Sequence, residues 1–149
     1  MDTTKDQGRK AAAASGEHGG RGGSRSPESL QRAGRRDAAT GAFRAKTTYV
    51  IERVGGPTAT ARLIGVAKSQ PSRWVTGQEA PSPRSRKRIL DLDYVLSRLE
   101  DLYEPEVAAR WLDSPNSFLD GARPVDVLLR EGPAPVIEAV DATIAGSYA

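Results

Sequence analysis

Cysteine is absent from the 149 residues, and histidine occurs once, at His18. The first absence excludes disulfides, thiol catalysis and thiolate metal sites together. The second argues against a histidine-based metal or catalytic centre. Large apolar groups are scarce, with 2 Trp, 4 Tyr and 2 Phe, so the core must be modest and the chain forms one domain or two very small ones. No apolar run approaches the ~18 residues that a membrane-spanning helix needs. The N-terminal region has no apolar stretch of the kind a secretory signal requires. A soluble protein of a reducing cytosol is the expectation, holding neither metal nor cofactor. Nor is there a nucleophile–base pair, so the chain reads as a non-enzyme.

What the chain does have is charge, unevenly placed. The net charge of +3 divides into +5 over residues 1–46, +6 over residues 47–90 and −8 over residues 91–149. A basic front and an acidic back imply two partners of opposite preference, a polyanion for the front and a protein for the back.

Residues 1–42 read as a disordered basic tail. The stretch EHGGRGGSRSPESLQRAGRR is rich in Gly, Ser and Arg, and buries too little to offset its ordering entropy. Such a tail is either a solvated extension or a basic arm that adds non-specific phosphate contacts. From Phe43 onward the pattern is helical, with no alternating run long enough for a strand. Helices are expected over residues 44–54, with Tyr49, Val50 and Val54 on one face, over 57–64 and over 68–76. Gly55-Gly56, Gly65 and Gly77 punctuate them. The longest helix spans residues 83–102. Its Ile89, Leu92, Leu96, Leu99 and Tyr103 recur at helical spacing. The stripe covers about two heptads, short of the three or four of a coiled coil. It therefore reads as a core-facing helix, with a dimer seam as the alternative. Shorter helices follow, opened by Pro105, Pro124 and Pro135, the last ending at Gly146. The fold class is all-α: a small helix-turn-helix bundle, a long connecting helix and a second small helical bundle.

The string ARLIGVAKSQPSRW, Ala61 to Trp74, is the most informative one. Two short helices crossing steeply need a small residue at the contact, and Ala61 supplies it. Gly65 permits the sharp turn. Val66 and Trp74, with Leu63 or Ile64, plug the space beneath. The second helix then presents Lys68, Ser69, Gln70, Ser72 and Arg73, side chains able to reach base edges and phosphates from a major groove. The string resembles the helix-turn-helix of the Cro/phage-repressor (Xre) class. Ala67 departs from it, standing where a Ser or Thr cap is usual, and so does Pro71, standing where Val or Ile is usual. Pro71 is tolerated in a first turn, but leaves the start open between Lys68 and a later one capped by Ser69. Arg84, Arg86, Lys87 and Arg88 crowd the start of the next helix. Cations there oppose the helix dipole, so a phosphate contact explains them better than local stability does.

By pattern, residues 104–149 are a small acidic helical bundle with Trp111, Phe118, Leu119, Leu128 and Leu129 as core and its carboxylates as a solvated face, and paired carboxylates such as Asp91 and Asp93, on the preceding helix, have no catalytic neighbours. The order Trp111-Leu112, Pro115-Asn116, Leu119, Gly121, Arg123-Pro124, Leu128-Leu129 and Gly146-Ser147 resembles the toxin-binding domain of the Xre/MbcA/ParS antitoxins. That resemblance implies a RES-domain toxin, an enzyme that destroys NAD, as the protein partner. It also implies an antitoxin C-terminus reaching into the toxin's active-site cleft, and repression of the pair's own promoter. The domains implied are a tail (1–42), a DNA-binding domain (43–82), a connecting helix (83–103) and a toxin-binding domain (104–149). Toxin contacts are then expected at Trp111, Arg123, Pro124, Gly146, Ser147, Tyr148 and Ala149. Operator DNA and a homodimer or larger toxin-bridged assembly complete the expected partners. The competing reading is a stand-alone transcriptional regulator whose back domain dimerises or binds an effector.

Overall fold

The structure, a computed structural model, describes residues 23–147. Within them the chain is all-helical: α1 (Pro27–Val54), α2 (Pro57–Ile64), α3 (Gln70–Thr76), α4 (Pro83–Glu100), α5 (Pro105–Asp113), a 3-10 turn (Ser117–Leu119), α6 (Pro124–Glu131) and α7 (Pro133–Ser147). Helix α4 is the axis. Its Ile89, Leu92, Val95, Leu96 and Leu99 are fully buried. Helix α1 runs alongside α4, from Phe43 beneath Arg86 to Arg53 beside Glu100, with α2 and α3 packed mainly on α1 and on each other, while α5, α6 and α7 pack on other sides of α4. The apolar stripe of α4 is thus consumed inside the chain and is not a dimer seam. One continuous core runs from Phe43, Val50, Ile64 and Trp74 through the α4 stripe to Leu112, Leu128, Val136 and Val140.

Polar ties lock α1 to α4. Lys46 pairs with Asp93 at 2.5 Å, and Arg53 pairs with Glu100. Tyr49 donates its hydroxyl to Glu100 Oε2 at 2.6 Å. Burial first, then the hydrogen bond to Glu100, raises the Tyr49 phenol above its ordinary value of 10.0. The folded state therefore holds that proton more tightly than the unfolded chain. This contribution to stability is complete below pH 10.0 and is lost as the pH climbs through the raised value. Between pH 10.0 and the raised value the urea midpoint of the wild type should fall more steeply with pH than that of Tyr49→Phe. Parallel curves for the two proteins would remove Tyr49 as the source.

Several boundaries differ from those read off the sequence. Residues 27–42, expected without structure, form the first turns of α1 and are exposed throughout. The cause is local: Ser26 Oγ accepts from Ser29 N, Pro27 opens the helix and Glu28 faces its positive end. Burial was the wrong test for that segment, since a capped helix contiguous with a packed one extends without it. The rest of the tail, residues 1–22, lies outside the described residues. Helix α4 stops at Glu100, two residues early. Helix α7 begins at Pro133 and passes through Gly146 to Ser147, whose hydroxyl donates to Thr143 O at 2.9 Å. Gly146 therefore does not end the helix. A glycine near a terminus costs only about 1 kcal/mol relative to alanine.

Of the core residues expected within 104–149, one lies outside and three lie at the margin. Phe118 is 54% exposed, in a 3-10 turn capped by Asn116, whose Oδ1 accepts from Phe118 N at 2.9 Å. Trp111, Leu119 and Leu129 are half-buried at the margin of the core, and Leu128 is fully inside. Asp91 and Asp93 are largely shielded, paired with Lys87 and Lys46.

Candidate functional site

The turn between α2 and α3 is built as its residues imply. Gly65 has φ +71°, a left-handed backbone that other residues adopt at a cost. Ala61 and Ile64 are buried beneath it, and Val66 N bonds back to Ala61 O at 3.0 Å. Helix α3 starts at Gln70, the later of the two starts open from sequence, with Ser69 at the cap position. The Ser69 hydroxyl makes no cap bond. Instead Gln70 Oε1 accepts from Ala67 N at 2.9 Å, supplying the acceptor that Ala67 lacks. Pro71 is buried in the first turn, and Trp74 is buried against α1.

The nine side chains expected at a nucleic-acid surface divide into two groups. Lys68, Ser69, Ser72, Arg73 and Arg84 are exposed on α3, its approach and the start of α4. The other four have internal duties. Gln70 holds the turn and donates Nε2 to Glu79 Oε1 at 3.0 Å. Lys87 pairs with Asp91, one turn along α4, at 2.5 Å. Arg86 lies over the Phe43 ring, 4.5 Å from its centroid, with its side chain still exposed. Arg88 turns inward and donates Nη1 to Ile64 O at 2.5 Å, satisfying the last carbonyls of α2. Burial, followed by the neighbouring Arg84 charge, lowers the Arg88 pKa from the ordinary arginine value. Sequence reasoning about dipoles missed this, because a carbonyl 24 residues away is invisible in the string. Arg73 approaches Glu79 at 3.8 Å, leaving its guanidinium at the surface.

Among the back helices, Arg123 is a staple. It forms a two-pronged pair with Asp126, at 2.8 and 2.9 Å, and reaches Asp113 at 2.7 Å. It thereby ties the start of α6 to the end of α5. The Asp126 hydrogen bond and charge raise its pKa above the ordinary arginine value. Pro124 is buried at the first turn of α6, and Trp111 packs against the core from α5. Of the expected C-terminal contacts, Gly146 and Ser147 are exposed on the last turn of α7, while Tyr148 and Ala149 lie outside the described residues. The structure adds exposed apolar groups that no motif signalled, namely Phe118, Val107 and Tyr94. A polar cleft of about 520 Å³ separates the α2–α3 turn from α5 and α6, with Arg62 and Arg88 on one side and Arg123 and Asp126 on the other.

Known proteins share both the fold and the sequence of this chain. The family model described as the antitoxin Xre/MbcA/ParS C-terminal toxin-binding domain matches residues 98–144. The mycobacterial cidal antitoxin MbcA of Mycobacterium tuberculosis is 29% identical over 87 residues, covering 58% of this chain and 76% of MbcA. A probable mycobacterial cidal antitoxin of the same organism is 34% identical over 89 residues, covering 59% of this chain and 75% of that protein. Among solved structures, a chain of the crystal structure of the M. tuberculosis MbcT–MbcA toxin–antitoxin complex superimposes with a TM-score of 0.60 at 26% identity. That match covers 69% of this chain and 94% of the other. The ordered motif from Trp111 to Leu129 falls inside the matched toxin-binding domain, on helices arranged as in a solved antitoxin complex, and the chain therefore belongs to the Xre/MbcA/ParS antitoxin family.

Proposed function

We propose that this antitoxin neutralises a RES-domain, NAD-degrading toxin by blocking its active site with its C-terminal end, and represses its own operon through the α2–α3 helix-turn-helix. The observation that carries this reading is the segregation of surfaces. Lys68, Ser69, Ser72, Arg73 and Arg84 are exposed on α3, its approach and the start of α4, whereas the matched toxin-binding domain is carried mainly by other elements, α5, α6 and α7. Helix α3 is then the element that enters a major groove, with Ser72 and Arg73 nearest the bases and Arg84 and Arg86 on phosphates. Arg88 and Gln70 act through the turn they hold. In the toxin half Arg123, Trp111 and Pro124 set the positions of α5 and α6, while residues 146–149 supply the blocking end. A repressor of this form reads paired half-sites, which calls for a dimer or a toxin-bridged assembly.

The test is co-expression with a RES-domain toxin. Wild-type chain should preserve cell growth and NAD. Removing residues 146–149 should lower protection while leaving affinity for the upstream DNA unchanged. Arg73→Ala should do the reverse, weakening DNA binding by about tenfold or more with protection intact. A truncated chain that protects fully would refute the blocking end, and a folded Arg73→Ala protein that loses both activities would refute the division of labour.

A further inference from the structure

The unexpected first turns of α1 have a direction. From Phe43 onward one face of α1 is buried, through Phe43, Thr47 and Val50. At 100° per residue, Arg36 and Arg32 stand seven and eleven residues before Phe43, each within about 20° of its direction. They continue the inward face of the helix after the core has ended, about 10 and 16 Å beyond Phe43 along the axis. That face looks toward the side on which α3 and the start of α4 pack. Thr40, Phe43 and Arg44 share a small cleft with Trp74, Gly77 and Arg86, and the Arg86 guanidinium covers the Phe43 ring. A cationic row therefore leaves the core at Arg86 and overhangs the helix-turn-helix through Arg36 and Arg32. Arg35 flanks the row, Asp37 lies off it, and Glu28 sits at its far end facing the positive helix terminus.

Nothing within the described residues packs on this arm, since residues 27–42 are exposed on every side. An isolated helix of this length is marginal in water, and Gly34 and Gly41 weaken it further by about 1 kcal/mol each. Its charge suits an anionic surface. In the acidic half of a second copy Asp93, Glu100, Asp113, Asp126 and Asp141 are already paired with cations of their own chain, and among the described residues only the scattered exposed carboxylates Glu104, Glu106, Asp120 and Glu138 are left to compete for the row. A duplex seated on α3 instead offers phosphates beside the row.

We propose that residues 27–42 form a helical DNA-gripping arm in which Arg32 and Arg36 contact phosphates flanking the stretch occupied by α3. The proposal rests on the DNA-binding reading above. It is tested with the full chain on two duplexes of equal length, one from the region upstream of its own gene and one of random sequence. Affinity is measured from about 50 to about 200 mM salt. The Arg32→Ala/Arg36→Ala protein should show a slope of log affinity against log salt shallower by about 2 on both duplexes, because each lost phosphate contact removes about 0.9 and carries no base information. Arg32→Lys/Arg36→Lys should keep the wild-type slope, since lysine also neutralises a phosphate. An unchanged slope in the alanine protein overturns the arm while leaving the DNA-binding reading in place. So does a lysine protein as weak as the alanine one, which would mark a shape requirement in place of charge. A fall in the mass of the free chain by light scattering, with the slope unaltered, also overturns it by assigning the arm to a contact between copies. Wild-type chain that binds neither duplex overturns the DNA-binding reading itself, and the arm with it.

Discussion

Leu96→Ala is expected to lower the unfolding free energy by about 3 kcal/mol, within the range of roughly 2–5 kcal/mol for large-to-small changes in a closed core. Leu96 is fully buried in the C-terminal half of α4, in the one apolar cluster that the front and back helices share. A cavity there has no surface loop into which it can relax. The loss should reach both groups of helices at once, and the two tryptophans report it separately. Trp74 sits among α1 and α3, and Trp111 on α5. In single-tryptophan proteins, made with Trp111→Phe or Trp74→Phe, the two fluorescence transitions in urea should coincide and move together when Leu96 is truncated. Two separated transitions, with only one displaced by Leu96→Ala, would show that the two groups fold independently, and the continuous core would then be an inadequate description.

Trp74→Ala should cost a comparable amount, about 3–5 kcal/mol, with a different outcome for function. Helix α3 has 7 residues, of which Pro71 and Trp74 are the buried ones. Two turns of helix have no stability of their own, so the position of α3 depends on those two side chains. Removing the indole should unseat α3 and abolish the proposed DNA binding at temperatures where the toxin-binding half is still folded. Trp74→Phe is the informative companion. Trp74 Nε1 is buried without a hydrogen-bond partner in the protein, and an unsatisfied buried donor costs about 1–3 kcal/mol. Phenylalanine deletes the donor and retains most of the ring, so its stability should remain within about 1 kcal/mol of wild type. A Trp74→Ala protein that binds DNA normally would show that α3 is held by something other than this contact. A large loss in Trp74→Phe would show that the indole nitrogen has a partner.

The helix-turn-helix was legible because its signals are local. Gly65 lies where a left-handed turn is needed, Ala61 where helices cross, and Trp74 where a plug is required, and each falls within one or two turns of the next. The α4 stripe was legible for the same reason, since Ile89, Leu92, Leu96 and Leu99 recur at helical spacing. The toxin-binding half was legible as an ordered motif, although the roles of its members were not. Arg123 and Pro124 are recognisable in the string, but only the arrangement of α5 against α6 shows that Arg123 joins Asp113 to Asp126.

Composition, spacing and turn residues settled the class of this protein, the positions of most helices and its family. These properties depend on neighbours within a few residues, or on the order of a motif, both of which the chain records directly. The fate of individual charges was settled elsewhere. Arg84 and Arg88 lie in one basic cluster, yet Arg84 faces solvent and Arg88 holds a carbonyl of α2. Phe118 and Leu128 are both large and apolar and lie in successive helical elements, yet the first is outside and the second inside. In each pair the difference arises from which distant helix passes nearby. That depends on packing the other six α-helices around α4 at once, and no window of residues contains it.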